Sequence, residues 1–152
     1  MNTSKTLANH LEQLFFSKNW TGSSFPEALE GISWQQATQK IKSFNTIAVL
    51  VYHIGYYIKI QRRVLDGGPL EGSDTESFLA PPIKNEVDWN ALKDDLFENV
   101  RKLITQIQEF EDEKLQDAFA NSKYGTYLRN FIGVSEHSHY HLGQIVLLKK
   151  ML

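Results

Sequence analysis

Three histidines in five positions offer the clearest chemistry in the chain: His137, His139 and His141, within Glu136-His137-Ser138-His139-Tyr140-His141-Leu142-Gly143-Gln144. Successive residues of an α-helix turn by about 100°, so His137 and His141 stand about 40° apart, one turn from each other. That spacing lets two imidazoles on one helix reach a common metal ion. His139 lies about 200° from His137 and faces away. Two imidazoles hold an ion weakly, so a third ligand has to come from another helix. His53 sits in the most apolar stretch of the chain, where an unpartnered imidazole would cost roughly 1–3 kcal/mol. An ion and one hydrogen bond would occupy both of its ring nitrogens. His10 lies among more polar residues and is expected to face solvent. The plain alternative is that His53 is a hydrogen-bonded core residue and that the HxxxH pair arises by chance.

Glu136 and His139 also form an ExxH pair, the unit that carboxylate-bridged di-iron bundles use twice. The residues three positions before the other histidines are Leu7, Leu50, Val134 and Ser138, so there is no second pair and that centre is disfavoured.

Four helical blocks have to position these side chains. The first, residues 3–19, carries Leu7, Leu11, Leu14 and Phe15 at helical spacing, with Thr3 or Ser4 as its N-cap. A short turn of helix is expected at 26–30, after Thr21-Gly22-Ser23-Ser24-Phe25-Pro26. The second block, 33–66, opens on the capping box Ser33-Trp34-Gln35-Gln36 and runs as one long helix, apolar on nearly every face from Ile47 to Ile58. Gly67-Gly68-Pro69 ends it, and residues 67–87 form a long connection rich in glycine and proline. A connection of that length is usually functional or a crossover. The third block, 88–110, starts at Asp88 as N-cap and carries a stripe of Leu92, Leu96, Val100, Leu103, Ile107 and Phe110. The fourth, 126–152, contributes Leu128, Phe131, Ile132, Ile145, Leu148 and Leu152 to the core. The expected architecture is all-α: a single domain over 1–152, a four-helix bundle with a long crossover between helices two and three.

Composition limits the function. With 152 residues and 41% apolar content, the chain can bury one core. It has no cysteine, which excludes disulfides, thiolate metal sites and a cysteine nucleophile. The formal charge is −2 and the basic residues are scattered, so nucleic acid is not an expected partner. The longest apolar run is too short for a bilayer, and the first residues lack a signal-peptide pattern, so a cytoplasmic protein away from membranes is expected.

The segment Ile132-Gly133-Val134-Ser135-Glu136-His137-Ser138-His139-Tyr140-His141-Leu142-Gly143-Gln144-Ile145, with Val51-Tyr52-His53-Ile54, resembles the DinB-like family. That family includes YfiT-like metal hydrolases and bacterial thiol-dependent S-transferases. The resemblance implies a four-helix bundle whose metal ligands are His53, His137 and His141, with open positions for water or substrate. It implies a divalent ion, zinc or nickel before iron or manganese, and a homodimer. Asn130, two turns before His137, is a candidate for lining the substrate site, as are Tyr57 and Gln144. Gly143 is expected to permit a close helix approach. The leading expectation is a metal-dependent S-transferase acting on a small-molecule substrate with a low-molecular-weight thiol. Metal-dependent hydrolysis is the second reading, and a non-catalytic helical binding protein the third.

Overall fold

The structure, a computed structural model, describes residues 2–17 and 19–152; Met1 and Lys18, within the expected domain and first block, lie outside the described residues. Among the described residues it is all-helical, with two single 3-10 turns and no strand.

The first helix, α1, is Thr3–Phe16. Its cap is Asn2, whose Oδ1 accepts from Lys5 N at 2.8 Å, rather than Thr3 or Ser4. The N–H groups of those two residues are taken instead by the Asp112 carboxylate, at 2.7 and 2.8 Å. The helix stops at Phe16, short of 19, because Ser17 is extended. Helix α2, Phe25–Leu29, forms where the short turn was expected. Lys149 Nζ donates to Glu27 O and Glu30 O at 2.9 and 2.6 Å, a cation on the carbonyl end of that helix.

The second block is not one helix. Ser33 does form its capping box, but α3 covers only Trp34–Thr38. The chain then turns through Lys42, at φ 50°, and restarts as α4, Ile47–Leu65. Thr46 caps the restart, its hydroxyl accepting from Val49 N at 3.2 Å. The break has no glycine or proline to announce it. Within the long connection lies a single turn, α5, Asp74–Ser77. Helix α6 is Glu86–Gln108. It is capped by Asn85, which accepts from Asp88 N at 2.9 Å, so Asp88 is already inside the helix. Helix α7 is Tyr127–Met151, close to the expected fourth block, and Thr126 caps it.

Three side-chain links give the direction of α4 against α6. Lys59 pairs with Asp95, Arg62 donates to Asn99, and Gln106 donates to Asp66. The numbers rise together, so the two helices run parallel. The connection must therefore return along the whole of α4, about 28 Å for 19 residues at 1.5 Å each. That return explains its length and lays α5 against α4. Helix α7 runs antiparallel to α4, since His53 meets His141 while Tyr57 meets His137.

Helices α4 and α1 each pack on both α6 and α7. A continuous core is drawn from all four, including Leu11, Phe15, Ile54, Trp89, Leu103, Phe131 and Ile145. Ile132, an expected core residue, is 38% exposed, because Phe131 and Val134 occupy the inward face of that turn. Gly143 faces open space, with nothing within 4 Å of where a Cβ would stand, so it serves no close helix approach.

Candidate metal centre

His53 projects from the middle of α4 and His137 and His141 from successive turns of α7. His137 Nε2 stands 3.0 Å from His53 Nε2 and 3.1 Å from His141 Nε2. Each residue offers one ring nitrogen, and all three nitrogens lie within 4.8 Å of one another. Two nitrogens that share one ion at about 2.0–2.1 Å stand roughly 2.8–3.4 Å apart. The separations fit, and the group could hold a metal ion.

Proton positions strengthen that fit. The Ser77 hydroxyl donates to Asp74 O at 2.6 Å, so its remaining role toward His53 Nδ1, 2.8 Å away, is to accept. His53 therefore carries its proton on Nδ1 and presents a lone pair at Nε2. Gln144 Oε1, 2.7 Å from His141 Nδ1, accepts from it in the same way. Both Nε2 lone pairs then point toward His137 Nε2. One imidazole proton can bridge one of these gaps but not both, whereas a cation takes all three lone pairs.

The electrostatics keep the rings neutral, which is the form that ligates. Burial first, then the two neighbouring imidazoles, pushes His137 down to about 4. Burial, followed by His141, lowers His53, and burial lowers His141. Asp74 opposes the shift at His53 and His137, as a carboxylate close to the centre must.

The crossover supplies much of the wall. Phe78 stacks on His53 with ring centroids 4.0 Å apart and planes 18° apart. Tyr57 presents its ring to His53 and His137, and its hydroxyl donates to Asp74 Oδ1 at 3.1 Å. Tyr56 OH accepts from Ser73 N at 2.8 Å. Gly72 passes so close to α4 that a Cβ there would lie 2.4 Å from Ile60 Cδ1. None of Asp74, Ser77 or Phe78 stands out in the sequence by type or spacing. The one signal was the length of their connection.

A cleft of about 310 Å³ opens beside His137, lined also by Tyr57, Gln61, Tyr124, Arg129 and Asn130. Two of the three candidate substrate residues, Tyr57 and Asn130, are in its wall. Asn130 Nδ2 also donates to Tyr124 O and Thr126 O, both at 2.8 Å, tying the preceding turn to α7. Gln144 is behind His141, with its Nε2 donating to Tyr140 OH at 3.2 Å, and it borders a different cavity with Phe44, Leu50 and Leu147. His139 turns away from the centre: its Nδ1 donates to Ser135 O at 3.2 Å and its ring lies 5.8 Å from that of exposed His10. Glu136 pairs with Arg129 at 2.9 Å. The ExxH residues thus serve other contacts.

Among the described residues, no helix is long and apolar enough to cross a membrane. No family model, curated protein or solved structure matches this chain.

Proposed function

We propose that the chain is a single-domain four-helix-bundle metalloprotein of the DinB-like type, with α1, α4, α6 and α7 as the bundle helices. His53, His137 and His141 hold a divalent ion, zinc or nickel, and the protein transfers a low-molecular-weight thiol to an electrophilic small molecule. The observation that carries the metal half is the meeting of three Nε2 atoms, with His53 and His141 fixed from behind by Ser77 and Gln144. The thiol half rests on the resemblance of the α7 segment and on the cleft that opens at His137.

A bound divalent ion supplies Lewis acidity and favours the ionised form of a thiol or water that ligates it. The chain's own residues orient and exclude. Phe78 and Tyr57 shield the His53 side from water, and the cleft admits the substrate from the His137 side. One observation favours metal-assisted hydrolysis as a second reading: Asp74, hydrogen-bonded to Tyr57 OH, is a carboxylate near the centre that hydrolysis would use as a base.

The test is the metal content of protein purified without a histidine tag, followed by turnover of a reactive electrophile with and without added thiol. Bound zinc or nickel and thiol-dependent turnover are expected. A metal-free protein whose melting temperature ignores added Zn²⁺ and Ni²⁺ would overturn the metal reading. Turnover that needs no thiol would favour hydrolysis.

A further inference from the structure

The cleft beside His137 carries groups that the metal centre does not use. Gln61 lines it, and its Oε1 is buried with no hydrogen-bond partner. His137 Nδ1 is likewise buried and unpartnered. Buried polar atoms are nearly always paired, and of the six side-chain atoms buried without a partner among the described residues, these two belong to residues that line this cleft. Gln61 as a whole is only half-buried, and its last torsion is soft, so either end of the amide can turn toward the cleft.

Among the described residues that line it, Arg129 is the one charged side chain. Its Nη1 reaches Glu136 at 2.9 Å, but both side chains are mostly exposed, at 60% and 59%. An exposed pair of this kind contributes little and competes weakly with a ligand. The guanidinium has further N–H groups in a fork suited to a carboxylate. A second cleft shares Tyr57, Gln61, Tyr124 and Asn130, but its charged residue is Asp74. Taken together, the two clefts run from a cation at Arg129, through amides in the middle, to an anion at Asp74.

We propose that this cleft is the substrate subsite of the metal centre, resting on the metal reading above. It takes a small molecule bearing a carboxylate and a peptide-type amide, an N-acyl amino acid in chemical class. The carboxylate lies on Arg129, the amide on Gln61, and the side chain toward the three histidines. The volume of about 310 Å³ is room for roughly ten non-hydrogen atoms at the density of liquid water, which is that size class.

The experiment is calorimetric titration of the full chain, with and without added Zn²⁺, using N-acetyl-L-cysteine, N-acetyl-L-cysteinamide and N-acetyl-L-alanine. The acid is expected to bind roughly tenfold tighter than its amide, as a charge-assisted contact implies. Arg129→Gln should bind acid and amide equally while taking up metal as the wild type does. Gln61→Met should bind the acid more weakly with a melting temperature unchanged or raised, since it removes an unpaired buried acceptor; a purely structural Gln61 would instead lower it. N-acetyl-L-alanine separates carboxylate recognition from sulfur ligation, and its binding should also weaken in Arg129→Gln. Equal binding of acid and amide by the wild type, or a preference that survives Arg129→Gln, would overturn the subsite. Failure to bind zinc with the carboxylate preference intact would sink the metal reading alone.

Discussion

Ser77 Oγ lies 2.8 Å from His53 Nδ1 and donates its own hydrogen bond to Asp74 O, 2.6 Å away. A hydroxyl on the crossover thereby sets the tautomer of an imidazole in the middle of α4. Ser77 is fully buried, and His53 nearly so. Loss of this contact should reorient the ring without dismantling the core. Ser77→Ala is expected to weaken zinc or nickel binding by roughly 10–100-fold, read in competition with a chromophoric chelator. Wild-type affinity in that variant would show that Ser77 does not orient the ligand.

The three converging imidazoles and the outlying His139 make a direct contrast. His53→Ala, His137→Ala and His141→Ala should each lose bound metal, and His139→Ala should keep it. In the wild type, an ion at 100 times its dissociation constant adds about 2.7 kcal/mol of stability. Thermal melts with and without metal should show that rise, and it should vanish in the three ligand variants. A His139→Ala protein without metal would mean that the centre has been misplaced on α7.

Gly72 allows the crossover to lie against α4, because a Cβ would stand 2.4 Å from Ile60 Cδ1. Overpacking of this kind typically costs about 1–3 kcal/mol. Gly72→Ala should destabilise the protein and weaken metal binding together, since α5 carries Ser77. Ile60→Val removes the clashing methyl group. The double variant should therefore recover part of the loss, a coupling that chemical denaturation can measure. Strictly additive effects would mean that the contact does not limit the approach.

Asp112 holds the first turn of α1 from 109 residues away, accepting from Thr3 N and Ser4 N. The backbone hydrogen bonds, Ser4's first and then Thr3's, hold its carboxyl below the usual carboxylate range. A carboxyl depressed in the folded state adds stability above its unfolded pKa, and that stability is lost as pH falls through the folded one. The wild type should lose this contribution in acid, and Asp112→Asn should lack it at neutral pH. Melting temperatures of the two proteins should therefore converge as pH drops below about 4. A constant gap across the titration would assign the effect to shape rather than charge.

Much of this centre could be read from the chain alone, because helical periodicity is local. The 40° offset of His137 from His141, and the rejection of His139, follow from screw geometry that no packing can alter. The all-helical class follows from the spacing of Leu92, Leu96, Val100 and Leu103, all of which are buried. Thr126 and Ser33 announce helix starts by the hydrogen bonds that their side chains make. Tertiary structure decided what depends on distant partners. The break between Thr38 and Ile47 has no strong breaker residue, and Thr46 supplies the new cap where the chain turns. The caps Asn2 and Asn85 displaced nearby candidates: Asn2 takes the N–H of Lys5, and Asp112, from across the fold, takes those of Thr3 and Ser4, which places both residues inside the first turn. The parallel course of α4 and α6 sends the connection back along α4. That return brings Ser77, Phe78 and Asp74 to His53, residues that no local pattern links to it. The histidine pair is a property of one helix. The centre is a property of three segments meeting, and their meeting is set by packing.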